Sequence, residues 1–228
     1  MKRREFSNLV LLTGVGVAGS TLAPLARAQA KPVEGQQYVR LSQPVPVPPG
    51  GKIEVIEFFW YGCPHCYHLE PSIAAWQKTA PKDVVFKRVP ATTASWGTLA
   101  TVYYTLEAMG VLDQYHTKVF DAMHKQNINL SNTGLREEWL AKQGIDVAKY
   151  RDVEKSFSVS TKMSRAKQMT ASYKIDSVPQ VVVDGKFVVS AQSAGGQERM
   201  FQAVDQAIAA ARREKPAVVG SSPEPVKR

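Results

Sequence analysis

Ile53-Glu54-Val55-Ile56-Glu57-Phe58-Phe59-Trp60-Tyr61-Gly62-Cys63-Pro64-His65-Cys66 is the stretch on which the reading of this chain turns. Its first half, Ile53 to Phe59, is apolar and rich in β-formers, the pattern of a central strand buried on both faces. The second half opens a helix: from Cys63 to about Lys78 the apolar residues Leu69, Ile73 and Trp76 recur at spacings of three and four. Pro71 lies inside that helix, where it predicts a kink. Two cysteines three residues apart in a first helical turn have α-carbons roughly 5 Å apart, within reach of an unforced disulfide. The pair can open and close with little backbone movement.

The two thiols are not equivalent. Cys63 sits at the helix N-terminus, where unpaired N–H groups and the positive end of the dipole favour a thiolate, which makes it the expected nucleophile. Cys66, a turn further in, is the expected resolving thiol. His65 adds to stabilisation of the Cys63 thiolate, and stabilising the thiolate stabilises the reduced pair, so the disulfide form becomes the better oxidant. Cys63 and Cys66 are the only cysteines in 228 residues. As a structural disulfide they would close almost no loop and contribute little entropy. A zinc site needs further ligands, and His65, His68, His116 and His124 offer no second pair at familiar spacing. Haem attachment needs histidine after the second cysteine, and Tyr67 stands there.

Working outward, Gln37 to Leu41 is a short first strand, followed by the extended connector Pro44-Val45-Pro46-Val47-Pro48-Pro49-Gly50-Gly51. Val84 to Val89 is the next strand. From Ser95 to Tyr173 there is no convincing strand, and Trp96 to Met109, Leu112 to Lys125, Gly134 to Gln143, Val147 to Phe157 and Ser160 to Tyr173 carry helical periodicity. Strands return as Pro179 to Val183 and Lys186 to Ser190, joined at Asp184-Gly185, a strong hairpin signal. A last helix, Gln197 to about Arg212, turns Met200, Phe201, Val204 and Ile208 inward. The order is that of one α/β unit split by a helical insertion.

At the ends, Lys2, Arg3 and Arg4 precede an apolar stretch from Leu9 to Leu22, with small residues at Ala26-Arg27-Ala28 and Ala28-Gln29-Ala30. This reads as an export signal, too short and glycine-rich for a comfortable membrane span, which predicts a protein soluble once the signal is removed, with an uncleaved signal tethering it to the membrane as the alternative. Arg3-Arg4-Glu5-Phe6 resembles the start of a twin-arginine signal; an ordinary signal with two arginines fits as well. The formal charge is +9, of which the first 30 residues carry three, and the remainder is scattered rather than gathered into a nucleic-acid-binding stripe. The expected organisation is a signal at 1–30, an α/β domain in two parts at 31–94 and 174–213, a helical insertion at 95–173, and a disordered tail at 214–228.

Three supporting sites stand open on the residues alone. Alternation along the strand puts Glu57 among apolar neighbours, where a carboxylate is costly unless protonated or paired, which makes it a candidate proton acceptor for Cys66 during exchange; the alternative is a solvated edge carboxylate with no role. Val178-Pro179 is read as a strand-start trans proline, with a cis peptide placing Val178 beside the cysteines as the functional alternative. Trp60, Tyr61, Trp96, Tyr103 and Tyr104 are mostly core, with a contribution to an apolar groove as the alternative. His68, His116 and His124 read as ordinary surface or helix residues.

The chain resembles the DsbA family of periplasmic dithiol oxidases from about Glu34 to Ala211. The resemblance is carried by Gln37-Tyr38, Glu57-Phe58-Phe59, Cys63-Pro64-His65-Cys66, the helical block, Val178-Pro179 and Asp184-Gly185-Lys186. It implies a thioredoxin fold with an inserted all-helical domain and exchange chemistry at Cys63 and Cys66, with Pro64 and His65 between them. It further implies Glu57 as the buried carboxylate and a cis peptide at Val178-Pro179 as the client-binding edge. No cofactor beyond the redox-active pair and no metal are implied. The implied partners are reduced exported client proteins and a quinone-coupled membrane oxidase of the DsbB type, in the periplasm; apart from the resemblance, a monomer is the default expectation. The Pro-rich connector, basic charge and tail depart from the family pattern. A reductase or isomerase of the same fold and a peptide-binding chaperone are the competing readings.

Overall fold

The computed structural model describes residues 37–48, 51–93 and 95–215. The expected signal at 1–30 lies outside them, as do residues 216–228 of the expected tail. Five strands form one mixed sheet in the order β1-β5-β4-β2-β3. The middle of it is β2 (Ile53–Phe59), the apolar run picked out above. It pairs in parallel with β3 (Val84–Pro90), Glu57 opposite Arg88, and antiparallel with β4 (Gln180–Val183), Glu57 opposite Val181. The β2 to β3 connection is α1 (Pro64–Thr79), one continuous helix that runs through Pro71.

β2 is buried on both faces because both are covered. Ile53 and Val55 pack with Leu69, Ile73 and Trp76 of α1 and with Ala203, Val204, Ala207 and Ile208 of α8 (Met200–Glu214). Ile56 and Phe58 face the second cluster, which takes in Leu99 and Leu106 of α2 (Gly97–Ala108) and Phe120 of α3 (Leu112–His124). That cluster runs on into α4 (Thr133–Lys142) through Trp139, α5 (Val147–Glu154) through Tyr150, and α6 (Phe157–Ser172) through Ala166. All five helices lie between β3 and β4, so the thioredoxin-type sheet carries its helical insertion there.

Several boundaries differ from expectation for local reasons. The break between α5 and α6 falls at Ser156, whose side chain accepts from Val159 N and caps α6 earlier than periodicity suggested. A short helix α7 (Ala191–Ala194), unmarked by periodicity, is opened by a capping box in which Ser190 and Ser193 satisfy each other's backbone N–H groups. β1 shrinks to Val39–Arg40, paired with β5 (Phe187–Ser190). Residues 197–199 form a 3₁₀ turn before α8. Phe201 is only half-buried, stacked on Trp76 with ring centroids 5.1 Å apart. The expected tail is also corrected at its start: α8 continues through Glu214, which Arg40 Nη2 holds at 2.5 Å and Lys186 Nζ at 3.3 Å. In the β4–β5 turn, Asp184 (φ 51) and Gly185 (φ 66) both take left-handed backbone, as the Asp-Gly pair foretold. The Pro-rich connector lies along this turn, with Val45 N donating to Gly185 O at 2.8 Å.

Candidate redox site

Cys63 is the N-cap of α1 and Pro64 its first residue, a position where proline's missing N–H costs nothing. Its own N–H donates to Trp60 O at 2.9 Å, closing the turn that carries the chain from β2 into the helix. Gly62 is needed in that turn, because a Cβ there would stand 2.4 Å from the Trp60 ring. Trp60 in turn stacks on Trp96, 5.5 Å apart and 17° from parallel, giving a paired indole wall beside the thiols. Tyr61, Tyr103 and Tyr104 are buried.

Both cysteines are free thiols, and their surroundings drive them apart. The Cys63 thiol is brought down to about 6: the hydrogen bond from Cys66 is the largest cause, partial burial opposes it, and the Cys66 and His65 backbone N–H groups and His65 charge add to it. Cys66 is fully buried, and burial first, then its bond to Cys63, pushes its thiol far up. The His65 ring is exposed, and its carbonyl accepts from Gln197 Nε2 at 2.5 Å. A nucleophilic thiolate that keeps a little exposure, 8% for Cys63, and a partner with none behind it can carry out disulfide exchange.

Val178-Pro179 is cis, which corrects the trans reading drawn from the residues and agrees with what the family resemblance implied. Antiparallel pairing of β4 with β2 brings this peptide beside the redox turn, and Cys63 Sγ donates to Val178 O at 3.4 Å. The Val178 backbone carbonyl thus lies directly against the nucleophile.

Glu57 is fully buried, so the solvated-edge reading is wrong. Burial raises its carboxyl to about 8, Arg88 opposing and Glu70 assisting. It is not alone there: Arg88 Nε donates to Glu57 Oε2 at 3.1 Å, while Oε1 has no hydrogen-bond partner. Arg88 Nη2 also donates to Glu70 Oε2 at 3.0 Å, and His116 Nε2 lies 3.3 Å from Glu70 Oε1. His116 is therefore no ordinary helix histidine; it is buried on α3 beside Val119 and Phe120. His124 likewise has a specific place, its Nε2 2.8 Å from the Tyr61 carbonyl and its ring stacked on Tyr67. Sequence reasoning passed over Arg88, Glu70 and His116. Some signal existed: Glu70 stands one turn beyond Cys66 on the same helix face, and His116 shares its spacing of three and four with Val119 and Phe120.

Among the described residues, no group of three or more His, Cys, Asp or Glu side chains could hold a metal, and no helix is long and apolar enough to cross a membrane.

Comparison with known proteins carries the same chemistry. A DSBA-like thioredoxin domain model matches residues 82–205. The thiol:disulfide interchange protein DsbA of Azotobacter vinelandii is 43% identical over 205 residues, covering 87% of this chain and 95% of that one. DsbA of Bordetella pertussis is 40% identical over 215 residues, covering 93% and 100%. The crystal structure of Pseudomonas aeruginosa DsbA superposes with a TM-score of 0.73 at 41% identity, over 79% of this chain and 95% of that one. DsbA of Xylella fastidiosa gives 0.73 at 28% identity, over 81% and 100%. With a redox-type cysteine pair at the helix start, a mixed sheet interrupted by five helices, and relatives of this similarity along nearly their whole length, the chain belongs to the DsbA family of thiol:disulfide interchange proteins.

Proposed function

We propose that this thiol:disulfide oxidoreductase gives its Cys63-Cys66 disulfide to reduced proteins in the periplasm. The observation that carries the reading is the asymmetry of the pair, a stabilised Cys63 thiolate in front of a fully buried Cys66. A client thiolate attacks Cys63 Sγ, a client–Cys63 bond forms, the Cys63–Cys66 bond breaks, and Cys66 leaves as a thiolate. Glu57, protonated at neutral pH, supplies the proton that converts Cys66 to a thiol. The client's second thiolate then attacks its own sulfur in the mixed disulfide, and Cys63 departs as the better leaving group because its thiolate is stabilised. Two electrons pass from client to pair, so no other cofactor is needed.

The Val178 backbone at Cys63 supports strand-like docking of an extended client segment beside Pro179. Family membership supports reoxidation by a quinone-coupled membrane oxidase of the DsbB type. The basic start and apolar stretch of residues 1–30 support export to the periplasm.

The test is the equilibrium of the pair with glutathione, followed through tryptophan fluorescence, since Trp60 closes the turn at Cys63. A strongly oxidising potential is expected, DsbA itself being a standard example of such a pair. A value near thioredoxin's, about −270 mV, would mean a reductase. In parallel, Cys66→Ala is expected to accumulate mixed disulfides through Cys63; an absence of adducts would favour a chaperone.

A further inference from the structure

Behind the thiols, side chains from four elements form one chain of contacts. Glu57 of β2 meets Arg88 of β3, Arg88 meets Glu70 of α1, Glu70 meets His116 of α3, and His116 Nδ1 lies 2.8 Å from the hydroxyl of Tyr61. One guanidinium thus serves two carboxylates. Buried charge is costly, so the group is most stable when neutral, with one proton held between Glu57 and Glu70. The two carboxylates are not equally placed to give it up. Glu57 has no exposure and an unbonded oxygen, while Glu70 lines a cleft of about 1060 Å³ that Arg88 and His116 also reach.

Hydrogen-bond inventory fixes how His116 enters. An ionised Glu70 only accepts, so Nε2 must carry the ring proton and donate to it, leaving Nδ1 to accept from the Tyr61 hydroxyl. Neutral His116 is then satisfied at both nitrogens. The electrostatics agree: burial lowers the His116 pKa, Glu70 only partly opposing, and burial raises Tyr61 so that it keeps its proton. Against its own burial, Glu70 is held below the usual range by His116 and Arg88. The remaining groups facing the cluster are Cys66 of α1, Tyr103 and Glu107 of α2 and Asp113 of α3. Tyr103 is kept neutral by burial, and Glu107 and Asp113 add only negative potential.

We infer that His116 is a positioning residue that decides where the shared proton resides: by donating to Glu70 it keeps that carboxylate ionised and leaves the proton on Glu57, the donor for Cys66. This rests on the exchange reaction proposed above. The step it serves is balanced by a single proton transfer, Glu57 carboxyl to Cys66 thiolate, giving Glu57 carboxylate and Cys66 thiol. Without the His116 donor, Glu70 takes up the proton, Arg88 turns wholly to Glu57, and Glu57 has nothing to give.

The experiment follows single-turnover oxidation of a reduced thiol peptide by the disulfide form across pH 5 to 10, with rates corrected for peptide thiolate. Wild type should lose rate with a break near the Glu57 pKa of about 8. In His116→Leu the break should move down by about one unit or more, with the rate at pH 7.5 falling about threefold or more. His116→Gln keeps an N–H donor for Glu70 and an oxygen for Tyr61, and should restore the wild-type break. A folded His116→Leu with the wild-type profile, or His116→Gln as impaired as His116→Leu, overturns the inference. Should His116→Leu not fold, Glu70→Gln decides: it leaves Arg88 to Glu57 alone and must also lower the break, and an unmoved break overturns the inference. A wild-type protein that fails to oxidise the peptide at all would instead count against disulfide donation.

Discussion

Replacing Cys66 by alanine should raise the Cys63 pKa more than replacing His65 by alanine does. The hydrogen bond from Cys66 is the largest stabiliser of the Cys63 thiolate, while the His65 charge comes after burial and the backbone N–H groups. A hydrogen bond to a charged group contributes about 1.5–3 kcal/mol. At 1.36 kcal/mol per unit this is about 1 to 2 units, moving Cys63 from about 6 to about 7 to 8. The exposed His65 ring acts through solvent, so His65→Ala should shift Cys63 by about half a unit or less. At pH 7 the thiolate fraction would fall from about nine-tenths to between about a half and a tenth in Cys66→Ala, and only slightly in His65→Ala. The assay is the pH dependence of alkylation by iodoacetamide in the reduced proteins, where buried Cys66 is slow and Cys63 dominates. A larger shift in His65→Ala than in Cys66→Ala would refute the ranking and make the imidazole, not the neighbouring thiol, the main support of the thiolate.

Glu57→Gln should stabilise the reduced protein at pH 8 and not at pH 4. Because the folded carboxyl is raised from 4.5 to about 8, the folded state binds the proton more tightly, so the Glu57 contribution is fully present below pH 4.5 and is lost as pH rises towards 8. The gain over wild type is at most about 4 kcal/mol, less what Arg88 loses in its charged partner; parallel urea-unfolding midpoints at the two pH values would sink this. Gly185→Ala should cost about 2 kcal/mol or more, since its φ is +66 and a Cβ would lie 2.0 Å from the Val45 carbonyl oxygen, yet leave Cys63 alkylation unchanged. An unaltered Tm would contradict that packing. Gly62→Ala forces the Trp60 indole off its present position, so the fluorescence spectrum should change and stability should drop by about 1–3 kcal/mol. An unchanged spectrum would show that the indole has room to spare.

Much of the site is local, and local features were legible. Cys63, Pro64, His65 and Cys66 lie within one helical turn, so residue spacing alone places both sulfurs and distinguishes the N-terminal one from the inner one. The Ile53 to Phe59 run marks a strand buried on both faces because no polar residue but Glu54 and Glu57 interrupts it, and Asp184-Gly185 marks its hairpin through the backbone conformations those residues tolerate. Even so, the burial of Glu57 stayed an even choice, since whether a strand residue meets solvent depends on what covers it. Here packing leaves it no exposure and parallel pairing sets Arg88 opposite it, 31 positions along the chain. His116 enters the same network from 46 positions beyond Glu70, and Val178 meets Cys63 across 115. No periodicity links residues so far apart. Sequence by itself determined the strand, the helix start and the redox-capable pair, because each follows from torsions and spacings within a few residues. Tertiary structure alone decided the cis Val178-Pro179 edge at the nucleophile and the Glu57-Arg88-Glu70-His116 cluster, because both depend on which faces pack together and how much water that packing excludes.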